Sequence, residues 1–297
     1  MHLITFTEND QSQIGVLDLN QNEVIHLSAT NNNLPKTMLE FIAQGTTAIE
    51  IAREASNSSK SRIPLERIRL LAPIPRPARN VFCIGKNYRE HVREVQKAGS
   101  SCNSGDTNAV PEKPIFFTKA TSAIIGPEEP IPAWLDPTSS TDYEGELAVI
   151  IGKNGRGIKR SDAMKYVYGY TILNDVTSRR LQREHQQWFL GKSLDGFCPI
   201  GPSILTADEI PEVKQLRVET WVNDELRQND VVASLIFDIP TLIETLSRTM
   251  TLAPGDIIAT GTPAGVGMGF NPPRFLEKGD VVKIRIEPIG TLENPVV

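Results

Sequence analysis

Short apolar runs separated by turn residues, with few long stretches of helical spacing, set the character of this chain. Within residues 1 to 70 three runs read as strands, LITFTE, IGVLDL and EVIHLS, each only a few residues long and rich in β-branched and aromatic side chains. Two stretches with apolar residues three and four apart, TMLEFIAQG and AIEIAREAS, follow and read as helices. Together they predict a small N-terminal α+β domain. Then comes LLAPIPRPARN, in which Pro73, Pro75 and Pro77 lack a backbone donor and lock φ, so residues 71–79 are expected to run extended as a linker.

A larger domain, residues 80–297, is expected beyond the linker. Its strand-like runs are VFCIG, PIFFTKA, ELAVIIG, GYTILND, LRVETWV, DIIATGT and VVKIRIE, broken by turn signals at Asn223-Asp224, Pro254-Gly255 and Lys278-Gly279. Helical spacing is clearest from Pro240 to Met250, with Pro240 suited to the first turn. Strands do not alternate regularly with helices, so the pattern predicts a β-rich α+β fold with mixed sheets rather than a doubly wound one. The polar segment KAGSSCNSGDTNAVPEKP, residues 97 to 114, reads as a long loop suited to a mobile lid.

Composition narrows the partners. With 297 residues, 39% hydrophobic and 23% charged, and a formal net charge of -5, the chain lacks the basic excess that nucleic-acid binding draws on. A small basic pocket for an anionic metabolite is still compatible. No apolar run reaches the roughly 18 residues of a membrane span, and the start MHLITFTENDQSQ lacks the layout of a signal peptide. The expectation is a cytoplasmic protein with neither membrane nor nucleic acid as partner. Cys83, Cys102 and Cys198 are odd in number and widely spaced, which suggests neither disulfides nor a zinc site; Cys83 and Cys198 read as core thiols.

The chemistry centres on DYEGELAVIIG, residues 142 to 152. In a strand, side chains two apart share a face, so Glu144 and Glu146 point one way and Leu147, Val149 and Ile151 the other. Two carboxylates at the head of an apolar strand repel each other unless something positive joins them. Either they meet Lys or Arg at a solvated strand end, or they hold a hard divalent cation. Asp175, at the end of GYTILND, could complete an all-oxygen set for Mg2+ or Mn2+. In GKNYREHVREVQ, a helix from Arg89 onward would place His91 and Glu94 on one side as an imidazole with its orienting carboxylate. The same spacing suits ordinary surface pairs among Arg89, Glu90, Arg93 and Glu94.

Two glycine-bearing stretches fail as nucleotide motifs. Gly191-Lys192-Ser193 has Gln186 where a phosphate-binding loop needs its first glycine, and GTPAGVGMGF lacks GxGxxG spacing and runs into Pro272 and Pro273. The first leaves Lys192 as either a solvated side chain or a grip for a substrate carboxylate. The second reads as a flexible loop with exposed backbone.

CIGKNYREH, DYEGELAVIIGK, GYTILNDVTSRRLQ, GKSLDGFCPIGP and LAPGDIIATGTPAGVG, in that order, resemble the fumarylacetoacetate hydrolase superfamily over about residues 70 to 297. The small N-terminal domain and proline linker resemble those of longer bacterial members, oxaloacetate decarboxylases among them. The resemblance implies a mixed-sheet β-roll, usually dimeric, with Glu144, Glu146 and Asp175 as Mg2+/Mn2+ ligands. It implies that His91 and Glu94 form the catalytic dyad on a lid helix, Lys192 is the active-site lysine, and Gln182 steadies an oxyanion or water. Gly261 and Thr262 match substrate contacts. Gly145 stands where several relatives carry a larger residue.

The implied reaction is cleavage of the C3–C4 bond of a small anionic 2-oxo acid through a metal-stabilised enolate. Oxaloacetate decarboxylation is the preferred expectation, acylpyruvate hydrolysis the alternative, and isomerisation within the superfamily a further one. A non-catalytic metabolite-binding protein is the alternative of another class.

Overall fold

The computed structural model describes residues 1–8, 11–30, 34–57, 61–97 and 110–297. Cys102 and most of the loop expected as a lid lie outside them. The strands are β1 (His2–Glu8), β2 (Gln11–Asp18), β3 (Glu23–His26), β4 (Val81–Gly85), β5 (Ile115–Lys119), β6 (Gly145–Ile151), β7 (Val167–Asn174), β8 (Cys198–Thr206), β9 (Arg217–Val222), β10 (Glu225–Val231), β11 (Ile257–Ala259), β12 (Val281–Ile286) and β13 (Gly290–Pro295). Several shorter ones accompany them. The helices that matter below are α1 (Met38–Ala43), α2 (Thr46–Ser56), α3 (Arg89–Lys97), α4 (Arg179–Glu184), α5 (Phe189–Lys192) and α6 (Ile239–Thr249). The strand-rich, mixed-sheet architecture expected from the sequence is the one observed.

One large sheet runs β3-β2-β1-β8-β7-β6-β11-β4-β5, antiparallel at each step except the parallel contact of β11 with β4. The N-terminal strands extend this sheet: β1 pairs with β8 through His2 opposite Leu205 and Leu3 opposite Ile204. A four-stranded sheet, β10-β9-β12-β13, packs on one face. Its hairpin turns at Asn223 and Asp224, whose φ of 50° and 66° suit the tight two-residue connection their types favour.

Strand β6 shows why the sheet is central. Leu147, Val149 and Ile151 enter the core shared with Val218, Ile284 and α6, while Ala148 and Ile150 enter the opposite core with Phe41, Ile42 and Ala52 of α1 and α2. Every residue of β6 is buried. An apolar run without polar alternation therefore marks a strand covered on both faces. Helix α6 starts as its sequence predicts: the Asp238 side chain caps the Thr241 N–H at 3.1 Å and Pro240 lies in the first turn.

GTPAGVGMGF is not a loose, exposed segment. Gly267 and Met268 are buried, and their N–H groups donate to Asp142 at 2.6 and 3.0 Å. A buried acid that no pattern reading places there supplies the missing acceptors and fixes the loop. Cys83 and Cys198 are buried free thiols; burial pushes Cys83 well up and Cys198 to about 12. No helix among the described residues is long and apolar enough to cross a membrane.

Gly169 on β7 tests this packing. A Cβ there would lie 2.4 Å from the Leu205 carbonyl oxygen of β8. Gly169→Ala is expected to lower stability by about 1–3 kcal/mol, read as a shifted urea midpoint; an unchanged midpoint contradicts the close strand approach.

Candidate active site

Register brings the acids together. In the antiparallel pair of β6 and β7, Gly145 stands opposite Asn174, so the residue before one strand meets the residue after the other. The Asp175 N–H donates to the Glu144 carbonyl at 2.9 Å, and the Glu144 N–H to the Asn174 side chain at 3.0 Å. One carboxylate oxygen each from Glu144, Glu146 and Asp175 lies within 4.8 Å of the others. All three side chains are buried.

Three cations answer them unequally. Lys192 Nζ sits 2.8 Å from Glu144 and 2.6 Å from Asp175, and Lys119 Nζ 2.7 Å from Asp175. Arg179 reaches Glu144 through Nη1 and Asp142 through Nε, the latter at 2.8 Å. Burial alone would raise the Glu144 carboxyl, but Lys192 and Arg179 outweigh it and hold Glu144 well below the usual carboxylate range. Glu146 goes the other way: burial first, then the charges of Asp175 and Glu144, push its carboxyl well up. Its partner is the Gly261 N–H at 2.7 Å. Lys192 is raised, because Asp175 and Glu144 overcome the burial that would discharge it.

With Asp142 counted, four buried carboxylates face Lys119, Arg179 and Lys192, which leaves one negative charge. An all-oxygen donor set with a surplus carboxylate fits a hard divalent cation better than zinc or copper. Glu144, Glu146 and Asp175 would hold it.

His91 and Glu94 meet as the helical spacing predicts. His91 is buried on α3, its Nδ1 3.1 Å from Glu94 Oε2, while the other Glu94 oxygen accepts from the Gly265 N–H at 2.9 Å. The surface pairing occurs too, on the outer face, between exposed Arg93 and Glu90. Gly269 lets the helix approach: a Cβ there would fall 2.1 Å from a Glu94 oxygen. His91, Gln182, Lys192 and Thr262 line one cleft with Glu144 and Glu146.

Lys192 is thus not solvated: it is buried between Glu144 and Asp175 and lines the cleft. Gly191 beside it lies so close to α4 that a Cβ would be 2.5 Å from the Gln182 nitrogen, so the glycine serves helix contact. The Gly261 N–H is spent on Glu146, and the Thr262 hydroxyl donates to the Gly145 carbonyl at 2.9 Å while accepting from Gln228 at 2.7 Å. Sequence reasoning missed Arg179, Asp142 and Lys119. Arg179 carries a signal, since it stands three residues before Gln182 on one helix face; Lys119 ends a strand and carries none.

A family model described as fumarylacetoacetate hydrolase, C-terminal, matches residues 80–297. The chain belongs to the fumarylacetoacetate hydrolase family. Among curated relatives it is similar to oxaloacetate tautomerase YisK of Bacillus subtilis, 46% identical over 271 residues, covering 89% of this chain and 87% of the relative. Among solved structures, the fumarylacetoacetate hydrolase of Exiguobacterium antarcticum is 42% identical with a TM-score of 0.83, covering 100% of this chain and 99% of that one. Maleylpyruvate hydrolase of Sphingobium sp. SYK-6, solved with manganese(II) and pyruvate, is 34% identical with a TM-score of 0.80 and coverage of 100% and 99%. The expected fold is that of fumarylacetoacetate hydrolase family structures.

Because burial and the charges of Asp175 and Glu144 raise the Glu146 carboxyl, a proton competes there with a bound cation. Calorimetric Mn2+ titration in buffers of different protonation enthalpy is expected to show proton release on binding that fades as pH rises. Glu146→Gln should abolish that release and weaken Mn2+ by more than the roughly tenfold to hundredfold that an outer-shell loss costs.

Proposed function

We propose that this protein is a divalent-metal-dependent enzyme that moves a proton at C3 of a small 2-oxo acid, with oxaloacetate keto–enol tautomerisation as its reaction. The observation that carries the reading is the His91–Glu94 pair in the same cleft as the three carboxylates. Decarboxylation needs no base, so a positioned imidazole favours proton transfer. Similarity to an oxaloacetate tautomerase supports the same choice over the decarboxylation expected from sequence.

Glu144, Glu146 and Asp175 would hold Mg2+ or Mn2+, which would supply Lewis acidity toward the 2-oxo acid. The residues of the chain do the rest. Glu94 accepts at Nδ1 and so leaves Nε2 of His91 as the base. His91 takes the C3 proton, the electron pair moves into the C2–C3 bond, and the C2 oxygen gains the charge. Protonation at that oxygen gives the enol. Buried Arg179 Nη2 has no partner among the described residues and is available to donate to a substrate oxygen, with Gln182 beside it. Apolar Ile84, Phe117, Trp188 and Met268 wall the cleft and limit water.

Cleavage of the C3–C4 bond is the second reading. The Sphingobium hydrolase was solved with pyruvate, which is also what loss of CO2 from oxaloacetate leaves. Proton transfer at C3 leaves the enolate of oxaloacetate with its C4 carboxylate in place, and cleavage leaves the enolate of pyruvate; in both the charge falls on the C2 oxygen.

In D2O with Mn2+, C3 deuterium incorporation into oxaloacetate, followed by NMR, is expected to exceed the protein-free rate. His91→Asn should cut it by about 10²- to 10⁴-fold with Mn2+ affinity kept. No enhancement by the wild type would sink the tautomerase reading, and no pyruvate formed either would favour a metabolite binder.

A further inference from the structure

Between β4 and α3 the chain turns through Lys86 with φ of 56°, the left-handed region that side chains other than glycine rarely adopt. Its neighbours hold it there. Gly85 packs so closely on Trp188 that a Cβ would lie 2.2 Å from the indole. Asn87, fully buried, donates to the Phe237 and Thr260 carbonyls at 3.0 and 2.7 Å and accepts the Phe237 N–H at 2.8 Å, while its own carbonyl accepts the Ile236 N–H. A strained residue fixed from both sides is a mark of function.

What this strain delivers is an ammonium. Lys86 is half-buried and lines the same cleft as His91, Glu144, Glu146 and Arg179. Among the described residues its side chain has no carboxylate partner, whereas Lys192 and Arg179 are each held by two acids. Lys86 is thus a cation of the cleft that no acid among the described residues occupies, and a second anionic group on the substrate would meet it there.

We propose that Lys86 binds a distal carboxylate of the substrate and so selects 2-oxo dicarboxylic acids over 2-oxo monocarboxylic ones. The proposal rests on the function above, since that reading assigns the first carboxylate to the cation that the three acids would hold. It also bears on the fate of the substrate. Loss of CO2 breaks the C3–C4 bond, leaves its electron pair in the enolate and discharges the C4 carboxylate. An ammonium on that carboxylate stabilises the reactant more than the discharging transition state, whereas proton transfer at C3 leaves its charge untouched.

The test uses Mn2+-loaded wild type, Lys86→Met and Lys86→Arg. Malate and lactate differ by the distal carboxylate and lack the 2-oxo group, so calorimetry reads their affinities without turnover. Lys86→Met is expected to weaken malate by about tenfold and lactate by less than about twofold, with Lys86→Arg restoring most of the difference. Equal weakening of both ligands, or of neither, overturns the proposal. With oxaloacetate, the ratio of pyruvate formed to deuterium incorporated should rise in Lys86→Met; a constant ratio overturns the effect on fate. Should wild type fail to exchange C3 protons, the proposed function falls, and the malate and lactate affinities still judge Lys86.

Discussion

Repulsion among buried carboxylates is the constraint from which the rest of this structure follows. Glu144, Glu146 and Asp175 are forced together by the register of β6 on β7, in an interior where an uncompensated charge costs several kcal/mol. Lys192 and Lys119 are sunk completely into the protein to meet them, and Arg179 is buried to tie Glu144 to Asp142. The arrangement is deliberately incomplete. Glu146 receives one backbone N–H where its neighbours receive cations, so the deficit is concentrated where a metal ion would relieve it.

The fold serves that constraint. Strand β6 is covered by the four-stranded sheet on one side and by α1 and α2 on the other, which fixes the strand ends against the repulsion. Gln228 of β10 adds a clamp from the small sheet, accepting the Gly145 N–H at 3.0 Å and donating to Thr262 and Pro263 at 2.7 and 2.8 Å. Gly145 has no room for more: a Cβ would fall 2.2 Å from Thr220 Oγ1. The departure at Gly145 therefore has a local cause in the side chains of β9 and β10.

Much of this was legible in the sequence, for physical reasons that differ by element. Period-two placement put Glu144 and Glu146 together, and three-residue spacing paired His91 with Glu94, because those geometries are local. Unbroken apolar runs marked the doubly covered strands. The partners of the acids were not legible. Lys119 and Asp142 act across long sequence separations, and nothing in a strand-ending lysine or a loop-facing aspartate distinguishes burial from exposure. The glycine-rich segment was misread for the same reason: its rigidity comes from Asp142 and Glu94, acceptors 125 and 171 residues away in the chain.

One contact of α3 ties the site to the glycine-rich loop. Glu94 orients the imidazole with one oxygen and is itself anchored by the Gly265 N–H with the other. His91 and Glu94 both ride on α3, so their pairing is internal to the helix, and the Gly265 N–H fixes where that pair stands over the cleft. The loop that helps wall the cleft through Met268 thus also holds the carboxylate that orients the imidazole, so a substitution in the loop would reach the base without touching it.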